Sequence, residues 1–163
     1  MNTPELSLQR ITPSLWEAAL AGDHALAAAL DVSIAPAWIK KRQLYYLSSK
    51  QILPTAWGVY FLLVDTTEGP WLVGLAGFNG PPSKAGWVEL GYEIAPSFRR
   101  RGIATAATAQ LVALALAATE PIVFGIEALT SAAENYSTRV LRNNGFQRVE
   151  ASTEYYWRWR RAR

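Results

Sequence analysis

The chain has 163 residues, half of them hydrophobic and 18% charged, a composition typical of a folded domain rather than a disordered chain. It has no cysteine and one histidine, His24, which excludes disulfides, a thiol nucleophile, cysteine-ligated metals and sites that need several histidines. The net charge is +3, but residues 99–163 alone contain ten arginines and five glutamates, a basic half that could attract an anionic ligand.

Two features of the chain bear on its location. The first residues lack the basic and apolar regions of a signal peptide, so we expect a cytoplasmic protein. Residues 103–119 form an uncharged run, but the run is short, rich in alanine and interrupted by threonines and a glutamine. A membrane span needs about 20 strongly apolar residues, so the run predicts a helix packed on a sheet.

The first half of the chain predicts helices followed by an antiparallel sheet. Helices are expected from Ser14, as a cap with Glu17 three residues later, from Asp23 to Leu30, and over residues 36–49. Alternating or dense runs of β-forming residues predict four strands, at residues 6–11, 57–64, 71–78 and 87–94. The turn at residues 68–70 joins two of these strands into a hairpin.

The second half predicts alternating helices and strands. A long helix ends before Pro121, and a second helix covers residues 134–144, with Gly145 as its left-handed stop. Strands are expected at residues 122–126, 146–150 and 154–160. A strand–helix–strand unit implies one parallel pair, whereas the hairpins imply antiparallel pairing elsewhere. We therefore expect residues 1–163 to form a single domain of mixed α/β class, a mostly antiparallel sheet flanked by helices.

The turn before the long helix has the features of a phosphate site. Arg99, Arg100 and Arg101 are followed by Gly102, which allows close approach to the first-turn N–H groups of the helix. Those groups have no partner within a helix, and the helix dipole adds positive potential there. The alternative is a solvated basic turn before an ordinary helix.

These residues carry a family resemblance. Arg99-x-x-Gly102-x-Ala104 resembles the acetyl-CoA pyrophosphate motif of the GNAT family of N-acetyltransferases, and the block from Glu134 to Phe146 resembles its second conserved block. The segments that resemble the RimJ/RimL branch are Gly77-Phe78, Gly80-Pro81-Pro82 and Trp157-Arg158-Trp159. Two departures are the two-residue spacing from Asn135 to Ser137, where the branch often has three, and Ala106 in place of an acid.

The resemblance implies transfer of acetyl from acetyl-CoA to a primary amine, either a protein N-terminus or a small molecule, without a metal. The absence of cysteine independently favours direct attack in a ternary complex. The residues expected to bind acetyl-CoA are Ile94, Arg99, Arg100, Arg101, Gly102, Ile103, Ala104, Thr105 and Asn135. Asn135 would hold the pantetheine amide or cap the following helix.

The chemistry needs a group that accepts a proton and one that donates it. Glu89 and Glu93 share a strand face by period two, so either is a candidate base or water-positioner, and Glu89 matches the family position better. Backbone N–H groups around Tyr92 could stabilise the developing oxyanion if a bulge at Gly91 opened the strand. Ser137 or Tyr136 would protonate the leaving thiolate, and Ser137 could equally be a helix cap.

Other classes of function stay open from the residues. The chain could be an acyl-CoA-binding sensor without a working base. The alternation of Trp157, Arg158 and Trp159 could also stack nucleic acid bases, although an edge strand with one buried face explains it as well. We expect no nucleic acid or membrane partner, and a monomer or homodimer.

Overall fold

The computed structural model describes residues 5–40, 56–150 and 153–163. In this part of the chain eight strands form one sheet in the order β1-β3-β4-β5-β6-β8-β7, with β2 paired to β4 beside this path. The strands are β1 (Leu6–Arg10), β2 (Ser33–Ile34), β3 (Val59–Thr66), β4 (Gly69–Phe78), β5 (Trp87–Ile94), β6 (Gly125–Ser131), β7 (Gln147–Val149) and β8 (Tyr156–Ala162).

The sheet is mixed, as the sequence predicts. Five of its pairs are antiparallel, including the β3–β4 hairpin, while β5 and β6 are parallel and the two-residue β2 is parallel to β4. The mixed α/β class, with a mostly antiparallel sheet, is therefore confirmed. The β5–β6 pair lies at the middle of the sheet, and the two strands can run parallel because the chain crosses between them through α3.

Four α-helices lie in the described residues: α1 (Pro13–Ala21), α2 (Asp23–Leu30), α3 (Ile103–Ala117) and α4 (Tyr136–Asn143). One face of α3 is buried, and it includes the small side chains Ala107, Thr108 and Ala115. Small residues let the helix approach β5 closely, with which it makes its most extensive contact. The described part contains no helix that is long and apolar enough to cross a membrane.

Several predicted boundaries were wrong. The cap of α1 is Thr12, whose hydroxyl accepts from the Leu15 N–H at 3.3 Å, and Gly22 precedes α2 without a side-chain cap. Asp23 instead accepts a 3.0 Å hydrogen bond from the Trp38 indole. The predicted helix over 36–49 is not formed in its described part, residues 36–40, and the rest lies outside the described residues.

The strand predicted at residues 122–126 lies further along the chain. β6 begins at Gly125, because its length is set by β8, which pairs with every residue from Gly125 to Ser131. The apolar residues before it are placed otherwise: Val123 is buried in the core, while Phe124 is 60% exposed and donates its N–H to the Gly86 carbonyl. Hydrophobicity located the buried segment but not the pairing that defines the strand.

Candidate functional site

The middle of the sheet is open between its two parallel strands. β5 and β6 pair only over Trp87–Glu89 and Gly125–Glu127, although both strands continue beyond these residues. The predicted bulge at Gly91 is not present, since β5 stays in continuous register with β4 from Leu90 to Ile94. The opening therefore arises because β5 and β6 diverge. After Glu89, β5 remains paired with β4 on one side and faces a gap on the side of β6.

A cleft of about 970 Å³ lies at the end of β5, between the starts of α3 and α4. It is lined from both helices and from the end of β5, and its charged side chains are basic except for Glu93. The predicted site residues that line it are Glu93, Ile94, Arg99, Arg100, Gly102, Ile103, Ala104, Thr105, Asn135, Tyr136 and Ser137. Two predicted residues, Glu89 and Arg101, are not among its lining residues.

The start of α3 presents uncapped N–H groups to the cleft. Gly102 is the N-cap residue, and its φ of 78° lies in the left-handed region that favours glycine. No described side chain caps this helix, and residues 103–105 line the cleft. The first-turn N–H groups and the helix dipole therefore offer a site for a phosphate group at this end of the cleft.

The three consecutive arginines point in different directions. Arg99 is held at the end of β5, where its Nε donates to the Ile94 carbonyl at 3.0 Å and its Nη2 to Glu93 at 3.1 Å. Arg100 has a φ of 62° and lies over the Tyr136 ring at 4.9 Å, across the cleft. Arg101 turns back, donating to the Ser97 carbonyl at 2.9 Å. Two of the three therefore contribute positive charge to the cleft.

One face of α4 supplies residues that the sequence reasoning missed. Arg139, Val140 and Asn143 line the cleft together with Tyr136, at the three- and four-residue spacing of one helix face. The structure gives the Arg139 guanidinium no hydrogen bond or ion pair within its described residues, whereas other arginines of the basic half have such partners. The signal that could have found Arg139 is this helical spacing from Tyr136.

The start of α4 is capped by the residue that could alternatively have bound pantetheine. The Asn135 Oδ1 accepts from the Thr138 N–H at 3.1 Å, and the Asn135 N–H donates to the Thr138 hydroxyl at 3.2 Å, which together form a capping box. The Asn135 amide nitrogen also donates to the Ser131 hydroxyl at 3.0 Å. Both the oxygen and the nitrogen of the Asn135 side chain therefore have hydrogen-bond partners, and the cap of α4 is Asn135 rather than Ser137.

Four hydroxyl groups line the cleft, those of Tyr92, Thr105, Tyr136 and Ser137. Ser137 is half-buried, whereas Tyr136 is 58% exposed. Tyr92 was not predicted as a site residue. Its hydroxyl crosses from β5 and donates to the Ser137 carbonyl at 3.2 Å, and burial raises the pKa of Tyr92 to about 12.

The two candidate carboxylates have different surroundings. Glu93 lies in the cleft and pairs with Arg99 at 3.1 Å and with Lys40 at 3.8 Å. Glu89 lies further back on the same strand face and accepts a short hydrogen bond from the Asn79 amide. Among the described residues no cation pairs with Glu89. No cluster of potential metal ligands occurs in the described ranges either.

Solved structures with the same fold are numerous. The acetyltransferase from Agrobacterium tumefaciens has a TM-score of 0.64 at 15% identity, over 100% of this chain and 94% of that one. The microcin C7 self-immunity acetyltransferase MccE, solved with acetyl-CoA and AMP, has a TM-score of 0.65 at 13% identity, over 98% of this chain and 93% of that one. The ribosomal L7/L12 α-N-protein acetyltransferase RimL, solved with coenzyme A, has a TM-score of 0.61 at 16% identity, over 99% of this chain and 95% of that one.

Sequence comparison identifies the family that this fold indicates. No curated protein sequence matches the chain significantly. The family profile of the acetyltransferase (GNAT) domain, however, matches residues 6–147, which include the split sheet, the uncapped start of α3 and the arginine-lined face of α4. The chain belongs to the GNAT family of acetyltransferases.

Proposed function

We propose that this protein is an N-acetyltransferase that binds acetyl-CoA in the central cleft and transfers the acetyl group to a primary amine. The observation that carries the proposal is the position of the uncapped α3 start, with Arg100 and Arg139, at one end of the gap between β5 and β6. N–H groups and guanidinium groups are the donors that a pyrophosphate needs. The gap would then admit the thioester arm between the strands.

The transfer forms one bond and breaks another. The amine nitrogen attacks the thioester carbonyl carbon, the carbon–nitrogen bond forms, and the carbon–sulfur bond breaks. The amine loses a proton and the departing thiolate gains one. The Glu89 carboxylate, directly or through a water, is the proposed proton acceptor, because no cation among the described residues forms an ion pair with it. Glu93 is the alternative, but its two ion pairs compete with a proton.

Ser137 is the proposed proton donor to the thiolate. Its hydroxyl lines the cleft and is not engaged in capping α4, since Asn135 has that role. Tyr136 is the alternative, and it also lines the cleft, but its ring is more exposed and lies beside Arg100.

The motifs that resemble the RimJ/RimL branch and the likeness to RimL support a protein N-terminus as acceptor, with a small amine as the alternative. The proposal includes a single domain, which the extent of the family match supports, and action in the cytoplasm. Within the described part of the chain, nearly all arginines of the basic half have partners in the fold, for example Arg160 on Glu127, and this speaks against a nucleic-acid surface.

The test compares two neighbouring arginines. Arg100→Ala removes a guanidinium from the cleft, and since charge-assisted hydrogen bonds contribute about 1.5–3 kcal/mol, CoA affinity should fall roughly 10- to 100-fold. Arg101→Ala is the matched control, and we expect a change below about threefold because that side chain points to Ser97. Calorimetric titration with CoA measures both affinities.

Turnover is measured separately by thiol release from acetyl-CoA with a panel of amines and peptides. Amine-dependent thiol release would support the enzyme. CoA binding without turnover of any amine would instead favour an acyl-CoA-binding sensor. Equal CoA affinity of the Arg100→Ala and Arg101→Ala proteins would contradict the placement of the phosphates at the start of α3.

A further inference from the structure

The first turn of α4 is attached to both parts of the sheet. On one side, the Asn135 amide nitrogen donates to the Ser131 hydroxyl at the end of β6, at 3.0 Å. On the other side, the Tyr92 hydroxyl of β5 donates to the Ser137 carbonyl at 3.2 Å. Backbone pairing of β5 with β6 ends at Glu89, so these two side chains connect the parts of the sheet through α4 where the strands have diverged.

The Tyr92 side chain is suited to hold this connection. Leu90 and Ile94, which share its face of the strand, are buried, and burial of Tyr92 itself raises the pKa of its hydroxyl to about 12. The hydroxyl therefore keeps its proton at neutral pH and can donate a hydrogen bond. Among the hydrogen bonds of the described residues, this is the only one between β5 and α4.

The bond acts on the residue whose hydroxyl is the proposed proton donor. A helix carbonyl accepts from the N–H four residues later, and its second lone pair can accept from Tyr92 without breaking the helix. The bond fixes the backbone of Ser137 relative to β5, and the Ser137 side chain is too short to move far from that backbone. Both residues line the cleft. A displacement of about 1 Å in a catalytic group can cost about 10²-fold in rate.

We infer that Tyr92 is a positioning residue for acetyl transfer: by joining β5 to Ser137, it sets the distance across the cleft at which the Ser137 hydroxyl meets the departing sulfur. The inference rests on the proposed function, in which the thioester arm enters the gap beside β5 and Ser137 protonates the thiolate. Tyr92 itself transfers no proton. No described hydrogen bond joins its hydroxyl to the start of α3, so binding of the phosphates should not depend on it.

The experiment is a double-mutant cycle measured by thiol release. Acetyl-CoA is the donor, and the acceptor is the member of the amine and peptide panel that gives the fastest release with the wild type. Tyr92→Phe removes only the hydroxyl, and we expect kcat to fall about 10- to 100-fold with the KM for acetyl-CoA changed less than about twofold. In the Ser137→Ala background the same substitution should lower kcat less than about twofold, because no hydroxyl is left to position.

Tyr60→Phe is the matched control. The Tyr60 hydroxyl also donates to a backbone carbonyl, that of Ala56 at 2.8 Å, and burial also raises its pKa, but Tyr60 does not line the cleft. Each phenylalanine keeps the ring and its packing, so both variants should fold and show a similar, small fall in melting temperature. Tyr60→Phe should leave kcat unchanged, and a Tyr92 with a structural role alone would behave like Tyr60.

Three results overturn the positioning role. They are an unchanged kcat for Tyr92→Phe, an equal fall in kcat with and without the Ser137 hydroxyl, and normal turnover by Ser137→Ala itself. Each leaves acetyl transfer to an amine standing, because the wild type still releases thiol. A wild type that releases no thiol with any member of the panel overturns the proposed function, and the positioning role with it.

Discussion

The sequence left the cap of α4 open between Asn135 and Ser137, and the structure assigns it to Asn135. The amide of Asn135 caps α4 and reaches back to Ser131, while the hydroxyl of Ser137 is left at the cleft beside the Tyr92 bridge. The two-residue spacing between them therefore has a physical reading: a helix beginning at residue 136 needs its cap at 135. That assignment separates stability from chemistry at neighbouring positions.

Asn135→Ala should change mainly the stability of the fold, whereas Ser137→Ala should change mainly the rate of turnover. Because Asn135 is the cap, Asn135→Ala should lower the free energy of unfolding by about 1 kcal/mol. Because Ser137 is the proposed acid, Ser137→Ala should slow thiol release about 10²–10⁴-fold with little change in melting temperature. Tyr136→Phe, which removes only a hydroxyl, is the control. Slow turnover by Tyr136→Phe with normal turnover by Ser137→Ala would give the acid role to Tyr136.

The sequence predicted most of the residues around the cleft, because the phosphate-binding turn is local in the chain. It did not predict Arg139 as part of the cleft or the burial of Tyr92, since both depend on α4 lying across the gap from β5. It could not separate Arg100 from Arg101, because a turn with a φ of 62° at Arg100 aims neighbouring side chains apart in a way that residue type does not encode.

At the level of elements, α4 is stabilised by an ion pair that spans two turns. Arg142 donates to both carboxylate oxygens of Glu134, at 2.7 and 2.6 Å, and its guanidinium also lies 5.1 Å from the Trp159 ring centre in β8. The Thr138 hydroxyl donates to the same carboxylate at 2.9 Å. These contacts join the residue before the cap to the last turn of the helix and to the sheet.

Glu134 should make the stability of the fold depend on pH in acid. Hydrogen bonds from Arg142, and then from Thr138, lower the pKa of Glu134 to about 2 from an ordinary value of 4.5. A group whose pKa is depressed by folding contributes stability above its unfolded pKa and loses it as the pH falls through the folded one. We expect the melting temperature of the wild type to include such a loss between pH 4.5 and 2.

Glu134→Gln tests this contribution. The variant cannot titrate, so the difference in melting temperature between wild type and variant should shrink as the pH falls below 4.5 and vanish near pH 2. The pair is solvent-exposed, so the difference at neutral pH should also decrease in high salt. A constant difference across this range would show that the variant acts by altered packing instead.

Element types were predictable where the residue pattern is local, as in the β3–β4 hairpin and α3. The pattern failed at β6, where the strand predicted at residues 122–126 overlaps β6 only at Gly125 and Ile126, because pairing with β8 defines the strand. It also failed at the opening of the sheet, which the sequence assigned to a bulge at Gly91. The divergence of β5 and β6 depends on how each strand pairs with its other neighbour, β4 or β8, and the residues of one strand alone do not predict it.

On the scale of the whole molecule, the divergence of β5 and β6 separates two parts of one sheet. Strands β1 to β5 lie on one side of it and β6 to β8 on the other, and the described pairing between them is limited to three residues of each strand. A ligand in the gap would contact the end of β5, the start of α3 and the start of α4 together. Binding should therefore stabilise the folded state as a unit.

Coenzyme A should raise the melting temperature, whereas DNA should not. A ligand at 100 times its Kd that binds only the folded state adds about 2.7 kcal/mol to the free energy of unfolding. For a chain of this size each kcal/mol shifts the melting temperature by about 2–4 °C, so a rise of about 5–10 °C is expected. A short DNA duplex at the same concentration should give no rise, because the last arginines of the chain have partners in the fold. Arg158 and Arg160 pair with Glu127, while Arg161 and Arg163 donate to the carbonyl groups of Asn144 and Val123. A larger shift with DNA than with CoA, abolished by salt, would place the basic half on the surface as a nucleic-acid site.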